Sequence, residues 1–262
     1  MLIDLLGSLL LPISSTAVPV LRLFGDPIVT VGQTRLDIPD GSKRLLAFVA
    51  LHRARVTRQH AAGTLWPVCD EIRASGNLRS ALWRLNRAGI TVLYADKHSL
   101  AVREDVVVDV DLVCCWAGRL ITGKAAPSDL AAMPWGVDGL ELLPGWYEDW
   151  ALMERERVRQ RLLHAVEVQS RQLVRIGRCA EAVEAAMVAV KTDPLRESAQ
   201  RALIEAHLAE GNWVEGLRAY EVYRDLMHRE LAIDPDPQLG AMIEQHRTAR
   251  GRRVVDSHLQ LA

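Results

Sequence analysis

The chain has 262 residues, 49% of them apolar and 25% charged, a composition of one large or two ordinary globular domains that excludes a disordered chain. Its formal net charge of −1 hides a division: Val20–Arg103 holds 13 Lys/Arg against 6 Asp/Glu, and Glu104–Ala262 holds 19 against 26. A basic module joined to an acidic one points only the first toward a polyanion.

The opening "MLIDLLGSLLLPISSTA" has an apolar run, but Asp4 interrupts it and the first basic residue is Arg22. Residues 1–19 are therefore expected to be an appended extension rather than a secretory signal, and no run reaches bilayer length. "VLRLFGDPIVTVGQTRLDI" (20–38) alternates apolar and polar residues around Gly-Asp-Pro and Gly-Gln turns, predicting a small antiparallel sheet. "DGSKRLLAFVALHRA" changes to helical period, with Ser42 as the expected N-cap and Leu45, Leu46, Val49 and Ala50 as the apolar stripe. "VTRQHAAGTLWP" predicts a short helix capped by Thr57 and stopped by Pro67.

The next helix, expected from about Ala74 to Ala88, carries "GNLRSALWRL". Leu78, Ala81, Leu82, Leu85 and Ala88 share one stripe at a period of 3.6. Arg79, Ser80, Trp83 and Arg87 share the other face, with a tryptophan one turn from each arginine where a bland helix would place Glu or Lys. "ITVLYADKHSLAVREDVVVDVDL" then gives two β-rich runs around Ala-Asp-Lys-His, a hairpin with a basic tip.

Sheet, three helices and hairpin is the order of a winged helix-turn-helix, assigned to residues 20–112. The second helix of such a motif lies in the major groove with its N-terminal part on the base edges. Here it offers Arg79 and Arg87 for guanine or phosphate, Asn77 and Ser80 as short polar readers, Trp83 for thymine methyls or sugars, and Arg84 at the edge of the face. The bland alternative is that Trp83 packs on a neighbouring domain or is simply exposed, as single apolar residues often are.

"VDVDLVCCWAGRLITG" predicts a strand end and a helix, and "KAAPSDLAAMPWG" a loop-rich join. Gly118 to Lys124 has P-loop spacing, but Ala125 stands where Ser or Thr would hold Mg²⁺, and a Pro-containing loop follows instead of a long helix. From Glu148 the chain is helical, and Glu154, Glu156, Arg157, Arg159 and Arg161 suit a solvated face paired along the helix. "GRCAEAVEAAMVAVKTDP" and "GNWVEGLRAYEVYRDLMHRELAIDP" begin at Gly177 and Gly211, 34 residues apart, and both end in Asp-Pro. Ala182 matches Gly216, and Ala185 matches Ala219. That period, with small residues at matched places, predicts tetratricopeptide-like helical hairpins for a partner or for self-association. Cys69, Cys114, Cys115 and Cys179 form no C-x-x-C, and no histidines cluster at metal spacing, so a reduced cytoplasmic setting is expected with no cofactor and no metal.

"ASGNLRSALWRL", "ELLPGWYEDWALMERERVRQRLLHA" and "DPLRESAQRALIEAHLAEGNWVEGLRAYEVYRDLM" resemble the SARP family, the Streptomyces antibiotic regulatory protein type of activator. The resemblance covers about residues 20–245, is most specific over Glu141–Ala165, and leaves residues 1–19 unplaced. The length is that of the small members, which lack an ATPase module. It implies an α+β winged helix-turn-helix followed by an all-α, tetratricopeptide-like bacterial transcriptional activator domain over 113–250, with 251–262 as a tail. It further implies binding to direct repeats in promoter DNA as a homodimer, contact with RNA polymerase holoenzyme, and control of a biosynthetic or other pathway gene cluster. By position, Asn77, Arg79, Ser80, Trp83, Arg84 and Arg87 fall on the family's recognition helix, and Lys97 and His98 on its wing. The competing readings are a tetratricopeptide adaptor whose basic domain binds a protein, and a nucleotide-hydrolysing enzyme through Gly118–Lys124. The latter lacks any visible catalytic set.

Overall fold

The computed structural model describes residues 18–131 and 141–259, the last eleven of them as backbone only. The expected extension, apart from its last two residues, and the end of the join at 132–136 lie outside the described residues. Two compact units result, one from residues 18–116 with 141–160 and one from 117–131 with 161–259.

In the first unit, β1 (Pro19–Arg22), β2 (Ile28–Val31) and β3 (Thr34–Leu36) are antiparallel, as the alternation predicts. Helix α1 (Asp40–His52) leads through β4 (Val56–Thr57) to α2 (Arg58–Leu65) and α3 (Glu71–Arg87). Then β5 (Leu93–Ala95) and β6 (Ser99–Val102) form the hairpin, and β4 adds to its edge. Strand β7 (Val107–Val108) returns parallel to β1 and runs into α4 (Asp109–Ile121). Strands β4 and β7 are two residues long, too short for any period to show.

Ser42 does not cap α1. The helix begins at Asp40 behind Pro39, whose ring presets φ, and the buried Ser42 hydroxyl instead donates to the Ala81 carbonyl of α3 at 2.9 Å. Thr57 does cap α2, accepting the His60 N–H at 3.2 Å. Leu45, Phe48 and Val49 of α1 pack with Ala61, Ala62 and Leu65 of α2 and with Ala74, Leu78 and Ala81 of α3. The buried carboxylate of this unit is Asp109, 1% exposed. Its carboxylate accepts the N–H groups of Leu23 (2.9 Å), Phe24 (3.1 Å) and Val110 (2.7 Å), tying the end of β1 to the start of α4. Burial pushes this carboxyl up to about 6, against the pull of the three N–H donors.

The segment from 141 also packs in this unit. Gly25 donates its N–H to the Glu141 carbonyl, Leu143 donates to Leu23, and Arg155 donates to the carbonyls of Leu142, Leu143 and Trp146. Trp146 stacks edge-on against Trp150, and Trp150 against Phe48 of the helix-turn-helix core. The distinctive "ELLPGWYEDW" run is thus a strap on the winged helix: Leu142 and Leu143 are buried, Trp150 packs on the core, and Glu148 pairs with Arg44 of α1 at 2.8 Å.

The second unit is helical: α5 (Pro127–Ala131), the rest of α6 (Asp149–Arg175), α7 (Cys179–Thr192), α8 (Glu197–Ala209), α9 (Trp213–Leu231) and α10 (Pro237–Leu259). Gly177 and Gly211 both take positive φ at the start of a hairpin, which places the 34-residue repeat on α7–α8 and α9–α10. Ala182 and Ala185 are buried at close approaches. A side chain at Gly216 would come within 3.2 Å of Leu208, so the matched small residues let helices lie together. The expected loop at 124–136 contains α5, whose Asp129 is gripped by Arg119 through two bonds of 2.7 and 3.0 Å. The guanidinium holds that carboxyl below its ordinary range. Residues 251–259, set apart by sequence as a tail, continue α10.

Candidate nucleic-acid interface

Helix α3 begins three residues earlier than the expected Ala74. Asp70 caps it by accepting the Arg73 N–H at 2.8 Å, with Glu71 in the first turn. The Asp-Glu pair was the signal for this start. The added turn puts Ile72 and Arg73 on the surface beside the expected face, and neither follows from the stripe that begins at Ala74.

Leu78, Ala81 and Leu85 are buried and Leu82 is half-buried, whereas Ala88 is the exposed C-cap and leaves the apolar stripe. Arg79, Ser80, Trp83 and Arg87 are exposed together. Trp83 is 57% exposed, and the Arg87 guanidinium lies 5.1 Å from the centre of its ring. This pairing accounts for a tryptophan on a charged face: the ring is a platform that orients a cation one turn on. Arg79 has no hydrogen bond or ion pair among the described residues. Asn77 is half-buried, its amide turned 3.8 Å from Cys69 Sγ in the preceding turn. Arg84 reaches back to donate to the Gly41 carbonyl of α1 at 3.3 Å. These two are engaged in holding the helix.

Trp83 tests the assignment of faces. Trp83→Ala should leave the thermal midpoint nearly unchanged, because the ring has little core to lose. Truncating a buried tryptophan costs about 3–5 kcal/mol, and a loss of that size on calorimetry would put Trp83 in the core.

The wing tip is Asp96 to Ser99. The Asp96 carboxylate accepts the N–H groups of His98 (2.7 Å) and Ser99 (2.6 Å) and the Ser99 hydroxyl (2.8 Å). Lys97 and His98 are left exposed at the turn. Those bonds, led by the His98 N–H, lower the Asp96 carboxyl to about 2. A depressed carboxylate contributes stability that is present above the unfolded pKa of about 3.9 and is lost as pH falls toward the folded value. Amide exchange at Ser99 is therefore expected to stay slow from pH 7 to about 4.5 and to lose its protection between about 4 and 2. Loss already near pH 6 would contradict this turn.

The P-loop spacing does not form a phosphate cradle. Gly118 sits inside α4, where a side chain would meet Arg161 Nη2 at 2.7 Å, and Gly123 takes positive φ beyond the helix end. No described helix is long and apolar enough to cross a membrane.

Residues 122–247 match the model of the bacterial transcriptional activator domain. The regulatory protein AfsR of Streptomyces griseus is 26% identical over 219 residues, covering 78% of this chain and 22% of that protein. The chain thus spans under a quarter of that curated relative. Among solved structures, EmbR of Mycobacterium tuberculosis, in complex with a low-affinity phosphopeptide, matches with a TM-score of 0.69 at 19% identity. That match takes in 88% of this chain and 65% of the other. The chain is thus similar to SARP-type regulators, carries a match to the bacterial transcriptional activator domain over 122–247, and has the fold of a winged helix followed by tetratricopeptide-like helical hairpins.

Proposed function

We propose that the chain is a sequence-specific DNA-binding activator that binds direct repeats in promoters as a pair of copies and recruits RNA polymerase holoenzyme. The observation that carries this reading is the exposed Arg79–Trp83–Arg87 stripe on the second helix of a basic helix-turn-helix. Cations and a flat apolar ring on one helix face suit phosphates, guanine edges and thymine methyls together. Lys97 and His98 at the wing tip reach the neighbouring backbone, and Asn77 and Arg84 fix the angle of the helix. The acidic chain beyond Glu104 would be repelled by phosphate, so its helical hairpins face polymerase or the second copy. Control of a biosynthetic or other pathway gene cluster, in the cytoplasm and with no cofactor, completes the reading.

A purified transcription assay tests it. The full chain should raise transcript yield from a template carrying its selected site upstream of the promoter, and Arg79→Ala should abolish the increase. Specific DNA binding with no stimulation at any spacing would restrict the protein to occupancy of its site. An adaptor that uses its basic unit on a protein would show neither.

A further inference from the structure

The turn of α3 that precedes the expected helix start presents an apolar side chain with no partner. Ile72 is 83% exposed, and it begins the track that runs through Gly76, Arg79 and Trp83 at i+4, i+7 and i+11. Gly76 adds nothing to that track but bare backbone: a side chain there would find only Arg79 Nη2 at 3.8 Å. The nearby carboxylates are turned to other tasks, Asp70 to the Arg73 N–H and guanidinium and Glu71 to the Gln59 amide at 3.2 Å. An exposed isoleucine at the N-terminal end of a helix-turn-helix second helix, with a glycine one turn later and arginines beyond, is shaped to approach base edges closely.

We propose that Ile72 is a specificity-determining residue that packs on thymine 5-methyl groups in the major groove, with Gly76 giving the bases room beside it. The proposal rests on the DNA-binding reading above. Thymine is the base whose groove edge carries a methyl, and an apolar side chain is its matching reader. The charged remainder of the same track favours DNA as the occupant over a protein, because Arg79 and Arg87 would be costly to bury against an apolar partner surface.

The test uses the full chain and a duplex enriched by it from a random pool, with each thymine replaced in turn by deoxyuridine, which lacks only the methyl. At one or two adjacent positions the wild-type protein should lose about fourfold in affinity per methyl removed. Ile72→Ala should bind the thymine duplex correspondingly less well and be indifferent to uridine there. Arg79→Ala should bind more weakly but keep the uridine penalty. An equal penalty in wild type and Ile72→Ala, or no penalty at any thymine, overturns the proposal while leaving DNA binding intact. So does an Ile72→Ala protein that binds DNA normally and fails only with polymerase, since the side chain would then face a protein. Failure to enrich any duplex removes the DNA-binding reading itself, and this inference with it.

Discussion

Arg79→Ala is expected to lose about tenfold to a hundredfold in affinity for the selected site while binding random DNA almost as the wild type does. Arg79 stands at the middle of α3, is exposed, and its guanidinium has no partner among the described residues to hold it elsewhere. A bidentate arginine–guanine pair is worth about 1–3 kcal/mol of discrimination. Arg87 should behave differently. It stands about 12 Å further along the axis, at the helix end, with its guanidinium held beside Trp83. In the proposed docking it meets phosphate, so Arg87→Ala should weaken all sequences alike and reduce the salt slope by about one. Titrations at several salt concentrations separate the two roles. Unchanged affinity in both variants would take α3 out of the groove.

The other large effect is on folding. Asp109→Asn is expected to destabilise the first unit by roughly 1–3 kcal/mol, the cost of an unmet buried donor. Both carboxylate oxygens accept backbone N–H groups, from Leu23, Phe24 and Val110, in a site only 1% exposed. An amide would turn one of those oxygens into a donor facing donors. Denaturant titration of the two proteins measures the difference. A cost below about 0.5 kcal/mol would mean that water or backbone movement satisfies these groups.

The winged helix was legible because its helices repeat at 3.6 and its strands at 2, and because the charges segregate along the chain. The exposed face of α3 followed from the apolar stripe through Leu78, Ala81 and Leu85. Ser42 was misleading because a serine near a helix start has the chemistry of a cap. Only the position of Ala81, 39 residues away, shows what its hydroxyl serves. Asp109 likewise looks like an ordinary first-turn acid until the end of β1 is brought to it. The strap at 141–160 was recognisable as a distinctive run, but its partners Phe48 and Leu23 are about a hundred residues upstream. Periodicity cannot carry contacts over that distance. Arg155 stands in a run of alternating Glu and Arg that suits a solvated face, and Arg157 and Arg159 do pair there with Glu154 and Glu156. Arg155 instead turns inward to three carbonyls.

That strap also bears on how the protein should be divided for experiment. A chain cut near Leu120 would lose Leu142, Leu143 and Trp150 from the first unit, so the full chain is the right material. Selection of duplexes from a random pool by the full chain, followed by footprinting of the enriched sequence, tests the central claim most directly. The expected result is two half-sites in the same orientation, spaced by one helical turn of about 10–11 base pairs or a multiple of it, with protection of consecutive major-groove faces. A pool that emerges unenriched, or an affinity that falls with salt yet is the same for every sequence, would contradict it.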